Sequence, residues 1–212
     1  WDDRLGNVDG LPASVHIGPD ASLIEQVAGV DLVVSAASFF QSGPQAADVL
    51  VDAVSRHAPE LVSARAVVDA YGGIGLFAAT AVPSEADVWV VETSRAALAD
   101  ARINLDGRKG RSEFVQSEFG RWRPTRGDLR PEVVIADPAR TGLGRPGVSA
   151  VVRAQPEVLV LVSCDPVSFA RDAALLEKEG FRLERCEVFD LFPGTHHVEV
   201  VSRFVRAGTL AS

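Results

Sequence analysis

Residues 66–75 read Ala-Val-Val-Asp-Ala-Tyr-Gly-Gly-Ile-Gly, a largely apolar run that passes directly into a turn with three glycines. Such a run is typical of a strand that is buried on both faces of a parallel sheet. Glycines at the carboxyl end of such a strand let the backbone approach a ligand closely. The dinucleotide fingerprint GxGxxG is absent, so the stretch alone fits either a cofactor-binding turn or a plain strand-to-helix turn.

Further apolar runs of similar length follow along the chain, with helical patterns between them. Ser94–Leu105 begins with a capping residue, and Pro166–Glu179 opens with proline and ends before a glycine. Alternating strands and helices predict an α/β, doubly wound, mostly parallel Rossmann-like sheet. The strands that we predict are Ala66–Ala70, Asp87–Glu92, Glu113–Gln116, Glu132–Asp137 and Glu157–Ser163.

The two ends of the chain have different patterns. Phe181–Asp190 and His196–Val205 are extended runs without a helix between them, and they predict an antiparallel hairpin joined by residues 191–195. A parallel sheet that ends in such a hairpin resembles the common fold of S-adenosylmethionine-dependent methyltransferases. At the other end, Ala46–His57 predicts a helix that leads into the sheet.

Residues 1–37 carry short alternating segments broken by glycine and proline, such as Ser14–Ile17 and Val30–Val34. They predict a small, partial β element, the remnant of a central domain. We therefore divide the chain into residues 1–37 and a catalytic domain over residues 38–212. The chain does not begin with Met, and we interpret it as a fragment.

Composition excludes several classes of protein. No apolar run reaches 18 residues and no signal peptide opens the chain, so we expect no membrane span and no secretion. Only Cys164 and Cys186 are present, which argues against a disulfide framework, an iron–sulfur cluster or another cysteine-rich metal site and favours a cytoplasmic protein. The net charge of −8 argues against nonspecific binding of nucleic acid by the whole domain.

Polar residues stand at the carboxyl ends of the predicted strands. Glu92 ends the second strand, where a carboxylate can accept hydrogen bonds from ribose hydroxyls, although a solvated carboxylate there is equally common. Asp137 ends the fourth strand. Cys164 ends the fifth strand before a helix, whose amino terminus favours a thiolate, although a structural cysteine is the commoner case.

Six linked motifs, in this order and approximate spacing, resemble the uracil-5 RNA methyltransferase family, which methylates uridine in transfer or ribosomal RNA. The resemblance covers roughly residues 35–206. The motifs are Phe39-Phe40-Gln41, the glycine turn, Asp137-Pro138-Ala139-Arg140, Ser163-Cys164-Asp165-Pro166, Phe169-Ala170-Arg171-Asp172, and Asp190-Leu191-Phe192-Pro193 through His197-Val198-Glu199.

The resemblance implies a role for each matching residue. Cys164 falls on the nucleophile, and Glu199 falls on the base that removes the proton from carbon 5 of uracil. The implied cofactor is S-adenosyl-L-methionine and the implied partner is RNA, with no metal. The residues that fall on cofactor-binding positions, or in the glycine turn beneath the cofactor, are Gln41, Tyr71, Gly73, Gly75, Glu92 and Asp137.

The sequence departs from the family in several places. Ser42-Gly43 replaces the usual Val-Asn pair, and Gly72 stands where the family usually has cysteine. The family's N-terminal RNA-binding β-barrel is missing from this sequence, as are the cysteines that bind an iron–sulfur cluster in some members. A methyltransferase that acts on a small molecule, or an idle RNA-binding domain of the same fold, are the alternatives.

Basic residues are concentrated between residues 102 and 130, where Trp122 stands among arginines. A tryptophan in such surroundings can stack on an RNA base. A solvated surface is the competing interpretation of this stretch.

Overall fold

The computed structural model describes residues 21–41, 44–124, 130–191, 194 and 198–207. The strands are β1 (Ser22–Val27), β2 (Val30–Ser35), β3 (Ala66–Ala70), β4 (Asp87–Glu92), β5 (Ser112–Gln116), β6 (Val133–Ala136), β7 (Val158–Ser163), β8 (Phe181–Phe189) and β9 (Glu199–Arg206). The α-helices are α1 (Pro44–His57), α2 (Leu76–Thr80), α3 (Arg95–Asn104), α4 (Gly144–Ala154) and α5 (Pro166–Lys178). Two short 3₁₀ helices are Pro59–Ser63 and Phe119–Arg121.

Seven strands form the central sheet in the order β5-β4-β3-β6-β7-β9-β8. The first five are parallel, and β9 lies antiparallel between β7 and β8. Ala70 pairs with both Val91 and Ala136, and Ala136 pairs with Leu161, so the carboxyl ends of four strands lie level. This topology confirms the predicted doubly wound sheet and its antiparallel end.

The sheet is covered on both faces, which explains its nearly continuous apolar strands. Every residue of β3, β6 and β7 is buried. Residues of α1 and α2 pack on one face and those of α4 and α5 on the other, in two separate apolar clusters. Side chains of α3 form a third cluster with β4.

The hairpin of β1 and β2 is a separate two-stranded sheet that packs against α1 and α3. Its inward side chains Val27, Leu32 and Val34 are buried in the same cluster as one face of the central sheet. The predicted segment Ser14–Ile17 lies outside the described residues. The division of the chain at residue 37 stays a prediction.

Helix α4 was not predicted from the sequence, and the helix expected after the glycine turn is short. Leu76–Thr80 is only five residues long, and α4 begins with Gly-Arg-Pro-Gly, a pattern that usually indicates a turn. Tertiary contacts supply what local propensity lacks: the buried carboxylate of Asp172 on α5 accepts hydrogen bonds from Leu143 N at 2.6 Å and Gly144 N at 3.0 Å. These are the unpaired amides at the start of α4.

Among the described residues, no helix combines the length and the apolar character that a membrane crossing requires.

Candidate active site

A cavity of about 610 Å³ opens at the carboxyl ends of the parallel strands. Its size is in the range of small-molecule sites. Seven of the eight predicted site residues line it, which brings together parts of the chain that are far apart in sequence. They are Gln41, Tyr71, Gly73, Glu92, Asp137, Cys164 and Glu199.

The glycine turn forms the floor of this cavity, and each of its glycines has a different role. Gly73 has a φ of +54° and open space where a Cβ would be, so it faces the cavity. A Cβ on Gly72 would lie 2.8 Å from Val90, so this position needs glycine for packing. Gly75, with a φ of +80°, does not line the cavity, because it packs against Leu105, the residue that follows α3.

Tyr71 begins the turn with a positive φ of +60°, which is unusual for a residue with a side chain. Its ring meets Phe119 edge to face, with centroids 5.6 Å apart. Burial raises the pKa of Tyr71 to about 12, so the hydroxyl stays neutral. The side chain of Tyr71 therefore packs between the cavity and α4.

The carboxylate of Glu92 is held in place at the end of β4. Its Oε1 accepts hydrogen bonds from Thr93 N at 2.6 Å and from Ser94 N at 2.7 Å. Its Oε2 accepts from Gly73 N at 3.2 Å, which ties the carboxylate to the glycine turn. A preorganised acceptor of this kind suits a pair of ribose hydroxyls.

Cys164 and Glu199 are brought together by the antiparallel pairing of β7 and β9. Ser163 pairs with Val200, so the residue after Ser163 and the residue before Val200 are opposite one another at the same strand end. Both side chains line the cavity. Thirty-five positions separate them in the chain, and the sheet removes this separation.

The pKa of Cys164 is raised, chiefly by burial and then by the negative charges of Glu199 and Asp137. Burial and these two charges therefore oppose the thiolate that the helix amino terminus is expected to favour. Arg140 acts in the opposite direction, but its effect is smaller. A positive charge inside the cavity would be needed to stabilise a thiolate there.

Two carboxyl groups of the cavity titrate near neutrality. Burial, and then the charge of Glu199, raises the pKa of Asp137 to about 7, while Gln41 donates a 3.4 Å hydrogen bond to it. Burial also raises the pKa of Glu199 to about 7, against the opposing charge of Arg140. A carboxylate with such a pKa is a competent general base at neutral pH.

Sequence reasoning gave no role to several residues that shape this site. Arg140 lines the cavity beside Cys164 and Glu199. Asp172 orders the loop that follows Asp137 by capping α4. Arg140 and Asp172 stood inside the quoted motifs, so the signal was present but nothing in the pattern separated a structural role from a catalytic one.

The basic stretch between residues 102 and 130 does not form one surface. Arg108 donates to four backbone carbonyls near the start of β4, and Arg102 lies over the ring of Phe114. Trp122 is only 4% exposed and stacks on Phe119. The prediction that Trp122 could stack on an RNA base is therefore wrong, because the ring is part of the core. Residues 125–129 lie outside the described part of the chain.

No group of three or more potential metal ligands occurs within the described residues. The adjacent His196 and His197 lie outside them, as do Ser42 and Gly43.

The chain is similar to known RNA methyltransferases. A family profile described as tRNA (Uracil-5-)-methyltransferase matches residues 116–205. An uncharacterized RNA methyltransferase of Enterococcus faecalis is 34% identical over 177 residues, which are 82% of this chain and 38% of that protein. Another, from Oceanobacillus iheyensis, is 30% identical over 206 residues, 95% of this chain and 44% of that protein.

Among solved structures, the chain is similar to Pyrococcus abyssi tRNA (uracil-54, C5)-methyltransferase in complex with S-adenosyl-L-homocysteine. The TM-score is 0.73 and the identity 32%, over 87% of this chain and 44% of that one. The chain thus spans less than half the length of these relatives.

Proposed function

We propose that the chain is the catalytic domain of an S-adenosylmethionine-dependent enzyme that methylates carbon 5 of a uridine in tRNA or rRNA, and the match of residues 116–205 to the tRNA (Uracil-5-)-methyltransferase profile supports this. The observation that carries the proposal is the placement of Cys164 opposite Glu199 in one cavity with a glycine turn. Methyl transfer to oxygen or nitrogen needs no thiolate, whereas methyl transfer to carbon 5 of uracil needs one.

The cavity suits S-adenosylmethionine in shape and in chemistry. Glu92 offers a fixed carboxylate for the ribose hydroxyls, and Gly73 lets the ligand approach the backbone. The apolar side chains of Ile74 and Phe77, together with Ala97, provide a surface for the adenine ring. When bound, S-adenosylmethionine supplies an electrophilic methyl group and a positive charge.

Cys164 makes carbon 5 reactive. Carbon 5 of uracil is a poor nucleophile, and a thiolate that adds to carbon 6 pushes the electron pair of the C5–C6 double bond onto the C4 carbonyl as an enolate. Carbon 5 of the enolate then forms its bond to the methyl group as the bond between that methyl group and the sulfonium sulfur breaks, which leaves S-adenosylhomocysteine. The target base has to be flipped out of the RNA to reach the thiolate.

Glu199 completes the cycle. After methyl transfer, carbon 5 carries both the methyl group and its original proton. The carboxylate of Glu199 takes this proton, the electron pair re-forms the C5–C6 double bond, and the thiolate of Cys164 leaves carbon 6. A pKa near 7 leaves a sizeable fraction of Glu199 ionised at neutral pH.

The two residues are expected to fail differently when they are replaced. Cys164→Ala abolishes both methylation and any covalent RNA adduct, because no enolate forms. Glu199→Gln allows addition and methyl transfer but not proton removal, so a methylated covalent protein–RNA complex accumulates. Denaturing gels with a radiolabelled methyl donor and an unmodified tRNA transcript separate these outcomes, with Cys186→Ser as the control.

The same gels test the alternatives. Retention of methyl transfer by Cys164→Ala would overturn the thiolate mechanism and favour a methyltransferase that acts on a small molecule. RNA binding without any methyl transfer by the unaltered chain would favour an idle RNA-binding domain. The cytoplasmic location rests on the two free cysteines and stays a prediction.

A further inference from the structure

Exposed arginines lie outside the lining of the cavity, on segments that follow the carboxyl ends of parallel strands. We call this set the arginine rim, and it comes from three separate segments of the chain. Its members follow β5, open α4 and lie within α5, and all are exposed. They are Arg121, Arg123, Arg145 and Arg171.

Packing contacts make the rim continuous. The turn at Gly120 lies against Pro146, since a Cβ on Gly120 would come within 2.6 Å of Pro146 Cβ, so Arg121 and Arg145 flank one contact. At the other end, the guanidinium of Arg171 donates to Thr141 O at 2.6 Å. Thr141 follows Arg140, which lines the cavity. The rim therefore runs from the cavity mouth across the start of α4 to the end of β5.

The acidic groups on this side are mostly committed to other contacts. Asp172 is buried and paired with Arg171, and Asp165 caps α5 through Ser168 N at 2.7 Å. Glu118 pairs with Arg121 at 3.1 Å, but both side chains are largely exposed. An exposed ion pair of this kind contributes little, so it yields readily to a phosphate.

The β8–β9 hairpin and the carboxyl end of α1 have a different charge pattern. Arginines there are paired with carboxylates, as Arg121 and Arg171 of the rim are, but Arg203 is also largely buried. Arg203 pairs with Glu60 and Glu184, and Arg56 pairs with Glu187. Asp190 is exposed at the end of β8. This side offers an RNA strand little positive charge.

We propose that the arginine rim binds the phosphates that flank the target uridine, so that the RNA leaves the cavity across the amino ends of α4 and α5 and not over the β8–β9 hairpin. The inference rests on the proposed function, because it takes RNA as the substrate. Guanidinium groups bind phosphate oxygens bidentately. Phosphate contacts of this kind orient the RNA without reading its sequence.

The test is the double variant Arg121→Gln/Arg145→Gln against the matched control Lys178→Gln/Arg182→Gln, which removes the same charge at the other edge of the sheet. The probe is a fluorescent, unmodified RNA stem–loop with uridines in its loop, titrated at several salt concentrations. The rim variant is expected to bind about tenfold more weakly and to reduce the slope of log K against log salt by about two. The control is expected to bind like the unaltered chain.

Affinity for S-adenosylmethionine, measured on the same samples, is expected to be unchanged in both variants. Equal weakening by the two double variants, no weakening by the rim variant, or no binding of the probe by the unaltered chain would each overturn the proposal. Failure of the proposed function would be detected in a different assay, as the absence of methyl transfer that depends on Cys164. That result leaves a rim-specific loss of RNA binding intact.

Discussion

The side-chain amide of Asn104 pairs with the backbone of Val33 as a neighbouring strand would. Its Oδ1 accepts from Val33 N at 2.7 Å and its Nδ2 donates to Val33 O at 3.0 Å. The same Nδ2 donates to Ile74 O at 2.9 Å, in the glycine turn. On the preceding turn of α3, Asp100 accepts from Ser35 and Ser38. Helix α3 thus joins the hairpin that leads to Gln41 with the floor of the cavity.

Asn104→Asp is expected to lower the free energy of unfolding by about 2 to 3 kcal/mol, because a carboxylate oxygen would face the carbonyls of Val33 and Ile74 in place of a donor. Urea denaturation measures the change. Asp106→Asn, an exchange of the same two residue types at an exposed position on the same segment, is the control and should be neutral. An unchanged free energy of unfolding in Asn104→Asp would contradict the inference that Asn104 joins the hairpin to the glycine turn.

Glu92→Gln is expected to weaken S-adenosylmethionine binding by about tenfold or more, because charge-assisted hydrogen bonds contribute about 1.5–3 kcal/mol each. Isothermal titration calorimetry gives the affinity. Glu85→Gln removes the same charge from an exposed residue before β4 and should bind normally. Equal affinity in the Glu92 variant and the unaltered chain would show that the ribose lies elsewhere.

Glu199→Gln is expected to make Cys164 more reactive in the absence of ligands. The charge of Glu199 raises the pKa of the thiol, so its removal lowers that pKa and leaves more thiolate at any given pH. In a Cys186→Ser background, the rate of iodoacetamide alkylation against pH should shift to lower pH, and the rate at pH 8 should rise several-fold. Glu157→Gln, at the opposite edge of the sheet, should leave the alkylation rate of Cys164 unchanged at each pH. An unshifted alkylation profile in Glu199→Gln would refute the electrostatic coupling of Glu199 to Cys164.

Asp69→Asn is expected to stabilise the protein increasingly as pH rises. Burial raises the pKa of Asp69 from 3.8 to about 8, and its Oδ1 has no hydrogen-bond partner among the described residues. Between these values the unfolded chain releases a proton that the folded chain retains, so this group costs stability as pH increases. Asparagine cannot ionise, and its amide oxygen can still accept from Ala78 N, as Oδ2 of Asp69 does at 2.9 Å.

Urea denaturation at pH 5 and pH 8 measures this difference. The gain of Asp69→Asn over the unaltered chain should be larger at pH 8. Asp52→Asn, an exposed residue of α1, should show no such growth with pH. A gain that is the same at both pH values would mean that Asp69 is ionised throughout.

Local patterns were enough to predict the elements whose sequences are unambiguous. Strands Ala66–Ala70 and Asp87–Glu92 were predicted with the bounds that the structure has, because apolar runs bounded by turn residues have few other solutions. The start of α4 was not predicted, because its glycines and proline favour a turn and only the distant carboxylate of Asp172 supplies the cap. The burial of Trp122 also depends on tertiary packing.

The sequence by itself determined the order of strands and helices and named the candidate chemical groups, since hydrophobic periodicity and motif spacing are local properties. Only the tertiary structure decided which groups meet: β9 inserts between β7 and β8, and this pairing places Glu199 opposite Cys164. The tertiary structure also sets the pKa values of Cys164 and Glu199. A pKa depends on burial and on charges contributed by other strands, so the raised pKa of Cys164 follows from how the chain packs and not from the residues beside it.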